Sequence, residues 1–581
     1  MHSLRGDFAA NRRLLLIAAI ALGIGLVASF VAYALLAMIH LFTNLFYFHQ
    51  FSLVAREPAG HALGWLAASV PVLGGLIVGL MARFGSERIR GHGIPEALEA
   101  ILFGRSILQP KIAILKPLSS AIAIGSGGPF GAEGPIIMTG GAIGSIVAQW
   151  FHLTAAERKT LLVAGACAGM TAVFGTPIAA VLFAVELLLF EWRPRSLVPV
   201  AVACAAAAAM RPWLLGAPPL FPVESHEYLG ALGLVAAAGV GLVAGVFSSL
   251  VTAALYKVED AFGALKLHWM WWPALGGVAV GVLGWIEPRA LGVGYEVIGD
   301  LLHGNVALRA AALLVAVKCA MWLIALGSGT SGGVMAPMLI FGACLGTLES
   351  SVLPAAGAGL WPLVSMAAIL GGMMRVPFTA VLFAFELTLD VHALPPLLVA
   401  AITAYAFTVL VMKRSILTEK VARRGYDLFR EYMVDPLERV RVGEIMTRDV
   451  TTIPGSTTVA ELLDRHFGGS RKHRGYPVVD DDGKLVGVLT GASLIDLPDT
   501  VVATTATAQD LVRTHPVVVD ERESCRVAAE RMATAGVGRL PVVAQDDPSH
   551  VVGIVTRSDL LKPRLRHLDE EHRRERVLGG K

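Results

Sequence analysis

The chain has 581 residues, of which 55% are hydrophobic and only 16% charged, with a mean hydropathy of +0.65 and a net charge of +3. A soluble chain of this size needs more charge to cover its surface, so much of it must face lipid, and its length exceeds one ordinary domain. The small basic excess is not that of a nucleic-acid binder; the scattered Cys167, Cys204, Cys319, Cys344 and Cys525 form no CxxC pair and suggest neither a disulfide framework nor a thiolate metal site.

Residues 1–13 form a short basic N-terminus with Arg5, Arg12 and Arg13. From Leu14 to Ala55 there is no Asp, Glu, Lys or Arg, which is too long for a signal-peptide core and reads as a retained first membrane helix. Apolar segments continue to about Met412. Lys413, Arg414, Lys420, Arg423 and Arg424 then crowd the exit, so the membrane domain is placed at 14–420. Basic residues at both ends of this block predict that the N-terminus and the C-terminal domain are cytoplasmic, with the chain multi-pass in a cell (inner) membrane.

Gly and Pro break several apolar segments, at Gly91 to Pro95, Gly125 to Pro135, Gly327 to Pro337, and around Pro177 and Pro377. Irregular backbone at membrane depth is tolerated only inside protein or around a wet cavity. The segment from Thr176 to Leu187 matches that from Val376 to Leu387, and Gly125-Ser126-Gly127 matches Gly327-Ser328-Gly329 at almost the same offset. This is an internal repeat, placed roughly at 60–215 and 230–415, and paired interruptions in two halves point to a transport site. Each Gly-rich turn leads into a helix start, which offers free N–H groups and the positive end of a dipole. Several such starts converging would bind a small anion weakly enough to release it.

GHGIP (Gly91, His92, Gly93, Ile94, Pro95), GAEGP (Gly131 to Pro135) and GVMAP (Gly333 to Pro337) resemble, in order and spacing, the three anion-site signatures of the CLC chloride channel and transporter family. With the paired Phe-Ala-x-Glu-Leu helices the resemblance covers about residues 14–420. It implies a homodimer with one anion pathway per subunit and inverted repeats. It places the gating carboxylate at Glu133, which mimics a halide and competes for the same N–H groups; an acid capping a helix is the plainer alternative. The flanking anion contacts fall on Gly131 and Gly134. Glu186 and Glu386, at matching repeat positions, read as structural. Lys116 and Lys318 read either as vestibule lysines of the family or as side chains snorkelling to the interface.

The chain departs from the family pattern at several positions. His92 stands where the family has a coordinating serine, and its N–H is expected to reach the anion or its pathway. Ala132 replaces a cation before the gate. Met335 replaces a phenylalanine, so contact is expected from the backbone N–H groups of Val334 and Met335. Leu417 falls where many members have a pore tyrosine. Leu187 stands where exchangers of the best-known type carry a second, internal glutamate, which favours gated passive flow of chloride or similar anions, with proton-coupled chloride exchange as the alternative.

From about 440 a second repeat begins. Gly475 to Val479 precedes Leu485 to Thr490, and Arg539 to Val543 precedes Val551 to Thr556. These resemble two CBS domains, at 440–495 and 505–562, followed by a charged tail at 563–581. The predicted fold is thus an all-α polytopic membrane domain with broken helices and an inverted repeat, then an α/β CBS pair. CBS pairs commonly bind adenine nucleotides (ATP, ADP or AMP), and the resemblance puts phosphate and ribose contacts at Thr490, Thr556 and Asp559; Ser493 replaces the acid of the first half. The competing view is that the pair only supports the dimer.

Other classes fit poorly. An intramembrane zinc protease needs His-Glu-x-x-His, and His226-Glu227-Tyr228-Leu229-Gly230 lacks the second histidine. A divalent-cation transporter needs clustered acids in the membrane, and those here are isolated. Neither an enzymatic activity, a metal nor a required cofactor is expected, and nucleic acid is not an expected partner.

Overall fold

The computed structural model describes residues 12–102, 106, 108–424, 437, 440–467, 475–491, 506–512, 516–544, 546–547, 549–563 and 565; the readings made of Arg5, Ser493 and most of the charged tail lie outside the described residues. The chain divides into two compact units, Met1–Glu431 and Tyr432–Lys581.

The first unit is helical. Its first half runs α1 (Arg13–Phe48), α2 (Val70–Phe84), α3 (Ile94–Leu102), α4 (Pro110–Gly125), α5 (Glu133–Gln149), α6 (Ala155–Phe174), α7 (Pro177–Phe183) and α8 (Pro194–Leu214). The second half runs α9 (Ala231–Gly263), α10 (Trp272–Ile286), α11 (Tyr295–Leu302), α12 (Leu308–Gly327), α13 (Met335–Glu349), α14 (Leu360–Met374), α15 (Pro377–Thr388) and α16 (Leu394–Val411), and α17 (Ile416–Arg423) follows. The two long helices α1 and α9 each open a half, and the helices after them correspond one to one. Proline opens α4, α7, α8 and α15, where its missing N–H costs nothing and its fixed φ suits the first turn. A capping box between Thr154 and Glu157 opens α6.

Among the described residues, 7 helices are long and apolar enough to cross a bilayer. Large side chains such as Leu15, Phe30, Leu232 and Val235 stand exposed along α1 and α9, as lipid-facing residues do. Where helices meet, small residues let backbones touch: a Cβ on Gly25 of α1 would overlap the Ala203 carbonyl of α8, and one on Gly140 of α5 would overlap the Gly165 carbonyl of α6. The helices α5 and α13, of 17 and 15 residues, start at fully buried positions, Glu133 and Met335. Two broken helices therefore deliver their N-termini to the interior.

The second unit holds two three-stranded sheets of one design. In the first, β1 (Ile453–Pro454) pairs parallel with β2 (Gly475–Val479), which pairs antiparallel with β3 (Leu485–Thr490). In the second, β4 (Val519–Asp520), β5 (Arg539–Val543) and β6 (Val551–Thr556) repeat the pattern, down to a register shift at Val478/Val479 and Val542/Val543. The two halves exchange segments. Val442, Ile445 and Met446 pack into the core of the second sheet with Val519 and Leu540, while Ala508 packs into the core of the first with Ile453 and Val478.

Candidate functional site

The site is assembled where the loops before α5 and α13 cross. Gly131 and Gly333 form an antiparallel bridge: the Gly333 amide donates to the Gly131 carbonyl at 2.8 Å, and the Gly131 amide donates back at 3.4 Å. The crossing pairs equivalent loops of the two halves. A Cβ at either glycine would overlap the Glu133 carboxylate, and one at Gly134 would overlap the His92 carbonyl. GAEGP, GVMAP and GHGIP therefore meet at one place, and glycine is needed for the approach. At the last loop Gly93 sits at φ +86°, a conformation glycine adopts freely, and Ile94 and Pro95 then open α3.

Glu133 is fully buried. Its Oε1 accepts a hydrogen bond from the Ala336 amide at 2.7 Å, and its Oε2 has no partner. The carboxylate thus rests on the first turn of α13, an anion position by both dipole and free N–H groups. Val334 and Met335 flank that position and are fully buried, but the amide engaged is that of Ala336, the next residue. Sequence reasoning missed Ala336; its only signal was its place in the first turn after GVMAP begins.

His92 is buried, with its Nδ1 unpartnered, and Leu417 is fully buried near the start of α17. The Ser415–Thr418 capping box fixes that start, and α17 packs on α3. A cavity of about 650 Å³ is lined by Arg88, Arg90, Lys420, Arg423 and Arg424 together with Glu87, Glu96, Glu99 and Glu259. Arg424 pairs with Glu96 at 2.5 Å and with Glu99 at 2.8 Å.

The buried lysines do not snorkel. Lys116 is fully buried, and its Nζ donates to the carbonyls of Ile89 (2.9 Å) and Gly91 (2.6 Å) and to Ser331 Oγ (3.0 Å). It pins the GHGIP loop and ties it to the second half. Lys318, also fully buried, donates to the Gly292 carbonyl at 2.7 Å and the Val293 carbonyl at 3.5 Å. The two lysines stand 202 residues apart, as Gly125 and Gly327 do, so the Gly292–Tyr295 loop is the counterpart of GHGIP. It keeps the two glycines as Gly292 and Gly294 but has Val293, Tyr295 and Glu296 where GHGIP has His92, Ile94 and Pro95, and Tyr295 escaped sequence reading for that reason.

Glu186 and Glu386 bind each other's half. Glu186 accepts from the amides of Phe378 (3.2 Å) and Thr379 (2.8 Å) at the start of α15. Glu386 accepts from the amides of Ile178 (3.0 Å) and Ala179 (2.8 Å) at the start of α7. These are reciprocal N-caps, the structural role their symmetric placement implied. Leu187 is fully buried in a π-helical turn, Ala184–Leu189.

In the second unit, Thr490 ends β3 and Thr556 ends β6. Asp559 Oδ2 accepts from both the amide (2.9 Å) and the hydroxyl (2.6 Å) of Thr556, and Lys562 pairs with Oδ1 at 2.6 Å. Burial pushes the Asp559 carboxyl up, but Lys562 and Thr556 together hold it below the usual carboxylate range. Among the described residues no group of His, Cys, Asp and Glu is arranged to hold a metal.

A family model described as "Voltage gated chloride channel" matches residues 74–409, and a CBS domain model matches residues 442–498 and 508–565. The chain is 28% identical over 376 residues to the "Putative chloride channel protein ClcB-like" of Ralstonia nicotianae, covering 63% of this chain and 88% of the relative. It is 30% identical over 372 residues to the "H(+)/Cl(-) exchange transporter ClcA" of Vibrio vulnificus, covering 60% and 78%. Among solved structures, that of a slow cyanobacterial Cl-/H+ antiporter superposes with a TM-score of 0.64 at 21% identity, over 72% of this chain and 99% of the other. That of a eukaryotic CLC transporter superposes with a TM-score of 0.60 at 20% identity, over 94% and 98%. The protein belongs to the CLC family of membrane anion transporters and channels and carries a C-terminal pair of CBS domains.

Proposed function

We propose that the protein exchanges chloride for protons across a membrane, with Glu133 serving both ions. The observation that carries this is the seat of the Glu133 carboxylate: buried, held by one backbone amide of the opposite half, with its second oxygen unpartnered. A carboxylate so held can yield the amide to an anion, and a carboxyl group with one unpartnered oxygen can take up a proton there. The relatives named as H(+)/Cl(-) exchange transporters support the coupled form. Gated passive flow of chloride, the form that Leu187 favoured in the sequence, keeps one specific support: that side chain is fully buried and carries no proton.

The same proposal includes two subunits, each with its own pathway, in a cell membrane with the N-terminus and CBS pair on the cytoplasmic side. In it the helix starts at Gly91 to Pro95, Gly131, Gly134, Val334 and Met335 contact the anion with His92, and Leu417 bounds the pathway. An adenine nucleotide at Thr490, Thr556 and Asp559 is a further part of it; Thr556 and Asp559 are already bonded to each other, so a nucleotide would have to share or displace that contact.

The test is proton movement in sealed proteoliposomes under a chloride gradient alone. Exchange drives protons against their own gradient, and Glu133→Ala abolishes the proton movement while chloride still flows. Chloride flux with no proton movement in the wild type would instead establish passive flow.

A further inference from the structure

A buried polar atom without a partner is rare in a folded protein and asks for an explanation. Two such atoms face the same place here. One is Glu133 Oε2, and the other is the hydroxyl of Tyr295. Glu133 is fully buried, Tyr295 is half-buried with its hydroxyl enclosed, and the two are near enough to interact electrostatically. The elements around them agree: Tyr295 opens α11, and α11 packs on α13, whose first turn carries the Ala336 amide that now holds Glu133.

The ring of Tyr295 is fixed by its surroundings. Phe174 meets it edge-on at 6.2 Å between centroids, Phe221 lies at 6.3 Å, and Phe383 backs Phe174 at 5.0 Å. Lys318, the cation next to this loop, spends its bonds on the carbonyls of Gly292 and Val293. The hydroxyl is thus a positioned donor with nothing to donate to while Glu133 sits on Ala336. Tyr295 belongs to the loop that corresponds to GHGIP in the other half.

We infer that the Tyr295 hydroxyl is the second seat of the gate: when an anion takes the Ala336 amide, the displaced Glu133 carboxyl turns and accepts a hydrogen bond from Tyr295. This rests on reading Glu133 as the gate, and it assigns the gate a defined open position. Tyr295 then sets how readily an anion wins the competition, without touching the anion itself.

Chloride binding to the purified full-length protein, measured by titration calorimetry, tests this and is indifferent to whether transport is coupled to protons. Tyr295→Phe keeps the ring and removes only the hydroxyl. With Glu133 present, the variant binds chloride about tenfold more weakly, the scale of one hydrogen bond to a charged group. In a Glu133→Ala background the same change has no effect, because there is no carboxyl to receive. An equal loss in both backgrounds would overturn the inference by making Tyr295 an anion ligand, and no loss in either would make the hydroxyl idle. Should Tyr295→Phe fail to fold, a wild-type structure at high bromide decides instead: the Glu133 carboxyl lies within hydrogen-bond distance of Tyr295, or the inference is wrong.

Discussion

Replacing Glu386 by alanine probes the coupling of the two halves where it is most measurable. Glu386 takes the amides of Ile178 and Ala179, and the preceding Pro177 has no N–H to offer, so this one side chain satisfies the first two donors of α7. Glu386 is only 7% exposed, and water cannot easily replace it. Orphaning the buried Ala179 amide costs about 1–3 kcal/mol and the half-buried Ile178 amide up to as much, so the two cost at most about 2–6 kcal/mol, partly offset because a buried carboxylate is no longer desolvated. A net loss of about 3 kcal/mol is expected, seen as a fall of roughly 5 °C in the melting temperature of the detergent-purified protein. Glu386→Gln retains one acceptor oxygen and loses about half as much. Glu186→Ala, which frees the amides of Phe378 and Thr379, should behave like Glu386→Ala. If Glu386→Ala melts together with the wild type, the reciprocal caps do not hold the halves and the reasoning fails.

Gly333→Ala puts a Cβ into the Gly131 carbonyl, a backbone atom that cannot step aside, so the crossed loops must part at a cost of about 1–3 kcal/mol, with chloride binding lost in calorimetry; Gly299→Ala, where a Cβ meets nothing within 4 Å, is the neutral control. Lys116→Met orphans the carbonyl of Ile89 and leaves that of Gly91 only the 3.4 Å bond from the Gly332 amide, while Ser331 keeps Ser119 and Ser120, so a net cost of about 2 kcal/mol and slowed chloride flux in liposomes are expected. The folded Asp559 carboxyl is held below its unfolded value, so its contribution to stability is complete above about pH 4 and is lost as pH falls through the folded value. The hydrogen-exchange protection factors of β6 in the full-length protein should therefore fall on acidification, and Asp559→Asn should flatten that dependence.

The loops were legible because their chemistry is local. GAEGP and GVMAP spell out a glycine turn and a helix start within five residues, and Pro177 and Pro377 mark two helix starts in register. What crosses between halves was not legible. The Ala336 amide lies 203 residues from Glu133, and nothing in either stretch names the other. Glu186 and Glu386 could be paired by symmetry, but only the fold places each at the other's helix start. Lys116 was ambiguous because a long cationic side chain in an apolar stretch can turn either way; the carbonyls of Ile89 and Gly91 decide that it turns inward. The Gly292–Tyr295 loop was missed since it keeps only the two glycines of GHGIP, as Gly292 and Gly294. In the CBS pair, strands were readable from alternating apolar runs, whereas the exchange of Val442 to Met446 and Ala508 between the two cores depends on contacts distant in sequence.

The coupling of chloride to protons is tested most directly by the reversal potential of the purified protein in planar bilayers. The chloride gradient is held fixed while a pH difference is imposed. Exchange through Glu133 predicts a potential that lies off the chloride equilibrium value and shifts with the imposed pH difference, and that Glu133→Ala returns it to the chloride value. A wild-type potential that stays at the chloride value at every pH difference would contradict the account and leave Glu133 as the gate of a passive pathway, with Leu187 marking the missing proton route.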